Sequence, residues 1–287
     1  MRVLVTGARG QLGTDLSEEL ARRGHDVIGA DLPEMDITEE ASVKAFFDQS
    51  NPEAVIHCAA YTATDRAEQE PEVCHKVNAV GTRILAEACR ERAIKMLYIS
   101  TDYVFNGEGE TPFSVDSPAG PLSVYGRTKY EGEIAVRELL EQYFIVRISW
   151  VFGLHGKNFV KTMLRLGKEN PRVFAVCDQI GSPTYTRDLS CLLADMIVTD
   201  RYGTYHATNE GFCSWYDFVL EIFAQAGYPT EVIPVDSDYF KSAIKRPANS
   251  RMDKSKLDEN GFSRLPTWQD AVARYLKELE QEEKAEA

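Results

Sequence analysis

The sequence predicts an α/β protein in which a doubly wound parallel sheet stands beside a smaller α/β domain that takes the substrate. Three observations point there. Short apolar runs alternate with helical stretches through the first half of the chain. The first run leads directly into a turn carrying Gly7, Gly10 and Gly13. A later run, Ala54 to Ala60, is apolar nearly throughout, as a strand buried on both faces is. The 287 residues are enough for about two units of roughly 150 residues each.

Arg2-Val3-Leu4-Val5-Thr6 reads as the first strand, Gln11 to Arg23 as a helix stopped by Gly24, and Asp26-Val27-Ile28-Gly29-Ala30 as the second strand. A strand, a glycine-rich turn, a helix and a second strand form a dinucleotide-binding unit, so the sheet is expected to be of the Rossmann type. Gly7 makes the turn tight, Gly10 lets backbone approach a pyrophosphate, and Gly13 lets the helix pack on the strand. Gln11 and Leu12 open that helix, where unpaired N–H groups and partial positive charge favour phosphates. The spacing is Gly-x-x-Gly-x-x-Gly, not the commoner Gly-x-Gly-x-x-Gly. Asp31 closes the second strand, placed to accept hydrogen bonds from the adenosine ribose. A carboxylate there repels a 2′-phosphate, so NADH is favoured over NADPH. Met35-Asp36-Ile37-Thr38 follows in a loop suited to the adenine. Asp36 reads equally as the N-cap of the helix that carries Val43, Phe46 and Phe47.

The end of the Ala54 run, Ala60-Tyr61-Thr62, is expected beside the cofactor at the carboxyl edge of the sheet. Pro71 to Arg92 reads as one helix, Lys95 to Thr101 as the next strand, and Phe144 to Ser149 as another. A hydroxyl at the strand end, Thr101, can donate to a substrate carbonyl and stabilise developing oxyanion charge. After a Pro/Gly/Ser-rich loop, Tyr125-Gly126-Arg127-Thr128-Lys129 opens a helix reaching Gln142. Residues four apart share a helix face, with Cβ atoms roughly 5–6 Å apart. An ammonium within about 4 Å favours a phenolate by roughly 4 kcal/mol at an effective dielectric of about 20. Lys129 is therefore expected to draw the Tyr125 phenol down from about 10 towards the range of a general acid at neutral pH.

In the second half, Asn158 reads as the cap of a helix reaching Lys168 or as a contact for the nucleotide, and Arg172 to Asp178 forms a strand outside the main sheet. The helix Thr186 to Thr199 and the strand Gly203 to Thr208 return to the cofactor side. Ser214-x-x-Asp217 resembles a capping box for a helix ending at Ala226, and Glu231 to Val235 is a strand. Thr267-x-x-Asp270 starts a last helix with Ala271, Val272, Tyr275 and Leu276 on one apolar face. The expected division is residues 1–152 plus about 179–210 for the dinucleotide, and about 153–178 plus 211–287 for the substrate. Trp150, leaving a strand end, can stack on a sugar face or sit in the core, and Tyr103 has the same two readings. Arg246, in a Pro-bearing loop, is a candidate for a diphosphate.

The net charge of −13 argues against nucleic-acid or anionic-membrane partners. Six cysteines show no Cys-x-x-Cys spacing and read as reduced core residues of a cytoplasmic protein. The five histidines show no metal-ligand spacing, so no metal is expected. A strand at the first residues leaves no signal peptide, and no apolar run approaches the roughly 20 residues of a membrane span. The Glu/Lys-rich end reads as a solvated helix terminus or tail.

The set Gly7-x-x-Gly10-x-x-Gly13, Thr101 and Tyr125-x-x-x-Lys129 resembles the extended short-chain dehydrogenase/reductase superfamily. Within it, Gly10-Gln11-Leu12-Gly13, Cys58-Ala59-Ala60-Tyr61-Thr62 with Asp65-x-Ala67-Glu68, and Ser100-Thr101-Asp102-Tyr103-Val104-Phe105 resemble the dTDP-4-dehydrorhamnose reductases. So do Arg147-Ile148-Ser149-Trp150-Val151-Phe152-Gly153 and Arg246-Pro247-x-Asn249-Ser250. The resemblance implies hydride transfer from NADH or NADPH to the C4 ketone of a dTDP-sugar, dTDP-4-dehydro-L-rhamnose, giving dTDP-L-rhamnose. It implies that Tyr125 protonates the alkoxide, while Lys129 lowers the phenol's pKa and binds the nicotinamide ribose. Thr101 would polarise the carbonyl, Asp102 bind sugar hydroxyls, and Trp150 pack on the sugar ring. Some members bind Mg²⁺ at a dimer interface through glutamates. Here Asp15 stands at the early position with no full set, so a monomer or a homodimer is expected. Another nucleotide-ketosugar reductase or an epimerase would share these residues and differ in the pocket. A non-catalytic nucleotide-binding subunit is the reading that loss of the Tyr/Lys pair would favour.

Overall fold

A computed structural model of the chain describes residues 1–240 and 244–286. The expected alternation begins with β1 (Arg2–Thr6), α1 (Gln11–Arg22), β2 (Asp26–Ala30), α2 (Glu40–Ser50) and β3 (Ala54–His57). Then come α3 (Thr64–Ala67), α4 (Pro71–His75), a π-helical turn (Lys76–Gly81), α5 (Thr82–Arg92), β4 (Lys95–Thr101), α6 (Val124–Leu139) and β5 (Tyr143–Ile148). The second half runs β6 (Val151–Phe152), α7 (Phe159–Glu169), β7 (Arg172–Val176), β8 (Ile180–Gly181), β9 (Thr184–Tyr185), α8 (Thr186–Ile197) and β10 (Gly203–His206). It closes with β11 (Cys213–Ser214), α9 (Trp215–Ala226), β12 (Glu231–Val235), α10 (Ser255–Glu259) and α11 (Trp268–Glu286).

Six strands pair in the order β10-β5-β4-β3-β1-β2, each pair parallel. Side chains alternate across a strand, and the two faces sort accordingly. Val3, Val5, Ile56, Leu97 and Val146 meet α1 and α8 through Leu16, Leu20, Leu189 and Leu193. Leu4, Val55, Met96, Tyr98 and Ile145 meet α2, α5 and α6 through Phe47, Leu85, Cys89 and Val136. The chain leaves β1 to one side for β2 and to the other for β3, which is the switch point where such sheets bind ligands at their carboxyl ends. A third core, around Phe152, Tyr185, Phe218, Trp268 and Tyr275, lies by the separate β7/β12 pair.

Two local expectations change. The stretch Pro71 to Arg92 is not one α-helix: the π turn interrupts it. There Asn78 donates to Tyr61 O at 3.1 Å and accepts Tyr61 N–H at 2.8 Å. That lateral bond and the widened turn leave no trace in apolar period. Cys74, Cys89 and Cys213 are buried and all six thiols are free, but Cys191 is exposed rather than in the core.

The start of α6 is fixed from two sides. Ser123 Oγ accepts the Gly126 N–H at 3.1 Å, and Glu68 accepts the Val124 N–H at 2.7 Å. A Cβ at Gly126 would collide with the carbonyl oxygen of Tyr103, so this glycine lets α6 lie against the turn that follows β4. Gly126→Ala is expected to destabilise the protein by about 1–3 kcal/mol and to lower turnover, measured by urea unfolding and steady-state kinetics.

Candidate active site

One groove of about 960 Å³ runs from the glycine turn to Trp150 along the carboxyl ends of the sheet. At the dinucleotide end, Gly7 has φ +68°, and a Cβ there would stand 2.7 Å from Ala59 N. A Cβ at Gly13 would run into Gly7 O. The two glycines let the turn pack against Ala59 and let α1 close on the turn, and the start of α1 faces the groove through Gly10, Gln11 and Leu12. The Gln11 carbonyl accepts from Asn158 Nδ2 at 2.9 Å, and Asn158 also caps α7 through the Lys161 N–H.

Asp31 lines the groove at the end of β2, its Oδ2 accepting the Arg9 N–H at 2.8 Å. The Arg9 guanidinium reaches Leu32 O at 3.2 Å and pairs with Glu34. Ile37 and Asp36 also face the groove. Asp36 is not the cap of α2, whose N-cap is Glu39. It turns instead onto Thr38, accepting from its N–H at 2.9 Å and its hydroxyl at 2.7 Å. Ala60 and Thr62 line the groove, whereas the Tyr61 phenol donates to Glu70 at 2.6 Å, away from it. These features fit a dinucleotide.

Thr101, Tyr125 and Lys129 line the same groove. Burial raises the pKa of the Tyr125 phenol, outweighing the lowering influence of the Thr101 hydroxyl beside it, contrary to the shift expected from Lys129. Burial also pushes the Lys129 ammonium down to about 7 against the pull of Glu133, and its Nζ lies over the Tyr98 ring, 4.0 Å from the centroid. Spacing of four brings the two residues to one face, but desolvation penalises both charged forms and wins.

Under Lys129 lies a fully buried carboxylate, Glu133. It takes Arg147 Nε and Nη2 at 2.8 Å each, Arg137 at 2.6 Å and the Ser100 hydroxyl at 2.5 Å. Burial alone would raise its pKa, yet Arg147 and these partners hold it below the usual carboxylate range. His57, beside the groove, is kept neutral: burial pushes it down to about 3, between the Thr6 and Thr82 hydroxyls at 2.7 and 3.1 Å.

At the sugar end, Trp150 adopts φ 50°, stacks on Trp215 with centroids 3.7 Å apart and lines the groove. It meets both readings, packing against the third core while facing the cavity. Tyr103 also lines the groove and meets Tyr125 edge-on at 5.5 Å. Asp102 lines the groove as well but is 2 % exposed. Its two oxygens already accept from Thr101 at 3.0 Å and Ser250 at 2.5 Å. Arg246 does not line the groove; it pairs with Asp65 at 2.9 Å and donates to the Tyr103 hydroxyl at 3.2 Å. Asp15 is buried and accepts from Thr186. Among the described residues, no group of three or more His, Cys, Asp or Glu could hold a metal. No helix among them is long and apolar enough to cross a membrane.

Sequence reasoning assigned no role to Asn78, Glu133 or Ser250. Glu133 left a local signal, four residues after Lys129 on the same helix, and Ser250 stands at the end of the Arg246-Pro247-x-Asn249-Ser250 motif. The contacts of Asn78 with Tyr61 and of Ser250 with Asp102 are made across the fold.

The family described as RmlD substrate binding domain matches residues 1–281. A dTDP-4-dehydrorhamnose reductase of Streptomyces griseus is 41% identical over 285 residues, covering 97% of this chain and 94% of that protein. The spore coat polysaccharide biosynthesis protein SpsK of Bacillus subtilis is 37% identical over 277 residues, covering 96% and 97%. Among solved structures, dTDP-4-dehydrorhamnose reductase from Bacillus anthracis in complex with NADP is similar with a TM-score of 0.94. It is 43% identical, over 96% of this chain and 99% of that one.

Proposed function

This chain belongs to the RmlD substrate binding domain family, and we propose on that premise that it reduces the C4 ketone of dTDP-4-dehydro-L-rhamnose to dTDP-L-rhamnose. It is an NAD(P)H-dependent oxidoreductase acting on a dTDP-sugar: its relatives are named dTDP-4-dehydrorhamnose reductases, and one is solved in complex with NADP. The product is a nucleotide-sugar precursor of cell-surface polysaccharide. The observation that carries the reading is the single groove joining the glycine turn to Thr101, Tyr125 and Lys129.

When bound, the reduced nicotinamide supplies the hydride for C4. Tyr125 gives its phenolic proton to the oxygen of the former ketone. Lys129 contributes positive charge that steadies the phenolate left behind and holds the nicotinamide ribose. Trp150 and Tyr103 form the walls against which the sugar is oriented, and Arg246, released from Asp65, takes the diphosphate. Residues 1–152 with 179–210 serve the cofactor, and 153–178 with 211–287 serve the sugar nucleotide. In the same reading the protein works in the cytoplasm as a monomer or homodimer, which sedimentation velocity distinguishes.

Cofactor choice turns on two neighbours. Asp31 favours a free 2′-hydroxyl, and Arg9 beside it offers a guanidinium to a 2′-phosphate. Arg9→Ala is expected to raise KM for NADPH about tenfold, the loss of one charge-assisted hydrogen bond, and to leave KM for NADH nearly unchanged. Equal losses for both cofactors would remove Arg9 from that role.

The direct test is to supply NADPH and dTDP-4-dehydro-L-rhamnose and follow reduced-nicotinamide absorbance together with product formation. Stoichiometric oxidation with dTDP-L-rhamnose formed is the expected result. Sugar interconversion without cofactor consumption would mean an epimerase, and cofactor binding without turnover of any dTDP-ketosugar would mean a non-catalytic subunit.

A further inference from the structure

A threonine hydroxyl carries one proton, and in this groove it is already committed. Thr101 Oγ1 donates to Asp102 Oδ1 at 3.0 Å and accepts from the Tyr103 N–H at 3.2 Å. While Asp102 is ionised it can only accept, so the hydroxyl of Thr101 cannot at the same time donate to a substrate carbonyl. The second carboxylate oxygen is filled by the Ser250 hydroxyl at 2.5 Å. Ser250 is itself fixed by its N–H to Ile180 O at 2.7 Å, and both Asp102 and Ser250 are buried. Asp102 is only 2 % exposed, and its side-chain donors are two hydroxyls rather than a cation: Arg246 is held by Tyr103 and Asp65. The titratable groups facing it are the phenols of Tyr103, on its own turn, and Tyr125, on α6. Ser250 brings only a hydroxyl, and Lys129 lies further along α6 over the Tyr98 ring.

We propose that Asp102 is a positioning residue that acts in turnover as the neutral acid. Its O–H donates to Thr101, which frees the threonine's own proton for the substrate's carbonyl oxygen, while Ser250 holds the other carboxyl oxygen. No bond to carbon changes in this step: one proton is taken up by Asp102 Oδ1 from solvent before turnover, and the hydrogen bond between Oδ1 and Oγ1 reverses direction. The proposal rests on the reductase reading above, since it assigns Thr101 a donor's part in ketone reduction. Burial, which already raises Asp102 to about 6 against the Ser250 and Thr101 hydroxyls and the backbone N–H groups of Asp102 and Tyr103, agrees with it, and substrate covering the groove would remove further water.

The pH profile of kcat distinguishes this from a merely structural aspartate. The parent should lose activity towards alkaline pH as Asp102 ionises. In Asp102→Asn the amide nitrogen is a permanent donor to Thr101 and the amide oxygen still accepts from Ser250, so that limb should disappear. Asp102→Ala should lower kcat about 10²-fold at every pH, the loss of one aligned donor, with Asp102→Asn recovering at least about tenfold of this. Ser250→Ala removes a bond that favours the carboxylate, so its alkaline limb should move to higher pH. An unchanged limb in Asp102→Asn would assign it to Lys129 and overturn the proposal. So would a shift to lower pH in Ser250→Ala, or equal inactivity of the Asn and Ala variants. A difference infrared titration of the ligand-free parent gives a readout without turnover. A protonated carboxyl band titrating near pH 6 and missing from Asp102→Asn is expected, and absence of that band overturns the proposal. If the parent reduces no dTDP-ketosugar, the reductase reading fails while the infrared result still decides the protonation of Asp102.

Discussion

Tyr125→Phe is expected to lower kcat by about 10²–10⁴-fold while leaving the dissociation constant for NADPH nearly unchanged. The substitution deletes one oxygen and keeps the ring that meets Tyr103 edge-on at 5.5 Å. Gly126 and the Ser123 cap, which place α6, are untouched. What is lost is the phenolic proton next to the Thr101 hydroxyl. Stopped-flow kinetics and fluorescence titration of NADPH separate the two quantities. Retained turnover would remove the proton-donor role, and a parallel loss of cofactor affinity would mean that the phenol serves binding instead. Because burial holds the phenol's pKa high, the residue is protonated throughout the neutral range. A depressed phenol would leave part of the protein already discharged.

Replacing Glu133 by Gln is expected to destabilise the fold by about 3–5 kcal/mol, the cost of leaving a buried guanidinium without its counter-charge. Glu133 is fully buried, and Arg147, which it holds by two bonds of 2.8 Å, is 3 % exposed. Arg147 also donates to Val115 O at 3.1 Å and reaches His206 Nε2 at 3.3 Å, so the network ties α6 to β5, β10 and the loop before α6. Urea unfolding measures the loss. Glu138→Gln, which breaks an exposed pair with Arg83, is the control and should cost at most about 1 kcal/mol. The pH dependence has a definite sign. The folded-state pKa of Glu133 is depressed, so its contribution is present above the ordinary glutamate range and is lost as pH falls through that range and below it. The parent should therefore lose stability on acidification more steeply than Glu133→Gln. Because Glu133 also supports the charge of Lys129, the variant should show weaker cofactor binding even where it stays folded. An effect confined to a few tenths of a kcal/mol would show that the network is not a supporting element of the site.

The parts of this protein readable from its residues are those whose period or spacing is local. Alternation of Val3, Leu4 and Val5 between the two faces of the sheet follows from the pleat. The glycine turn follows from backbone that cannot tolerate a Cβ at Gly7 or Gly13. Tyr125 and Lys129 share a groove wall because four residues make about one helical turn. That spacing says nothing about dehydration, which is why the expected drop in the Tyr125 pKa was wrong in sign. The contact between Ser250 and Asp102 joins residues 148 positions apart, and no local pattern announces it. Asn78 and the π turn depend on a lateral bond to Tyr61, again invisible to periodicity. A guanidinium suits a diphosphate, but nothing in the sequence around Arg246 shows that Asp65 and Tyr103 already hold it.

Transfer of a labelled hydride tests the central claim most directly. The protein is incubated with NADPH deuterated at nicotinamide C4 and with dTDP-4-dehydro-L-rhamnose, and the sugar is examined by proton NMR and mass spectrometry. One deuterium at C4 of dTDP-L-rhamnose, formed by the parent and greatly slowed in Tyr125→Phe, is the expected result. Deuterium at another carbon, none in the sugar, or an undiminished rate in the variant would contradict it.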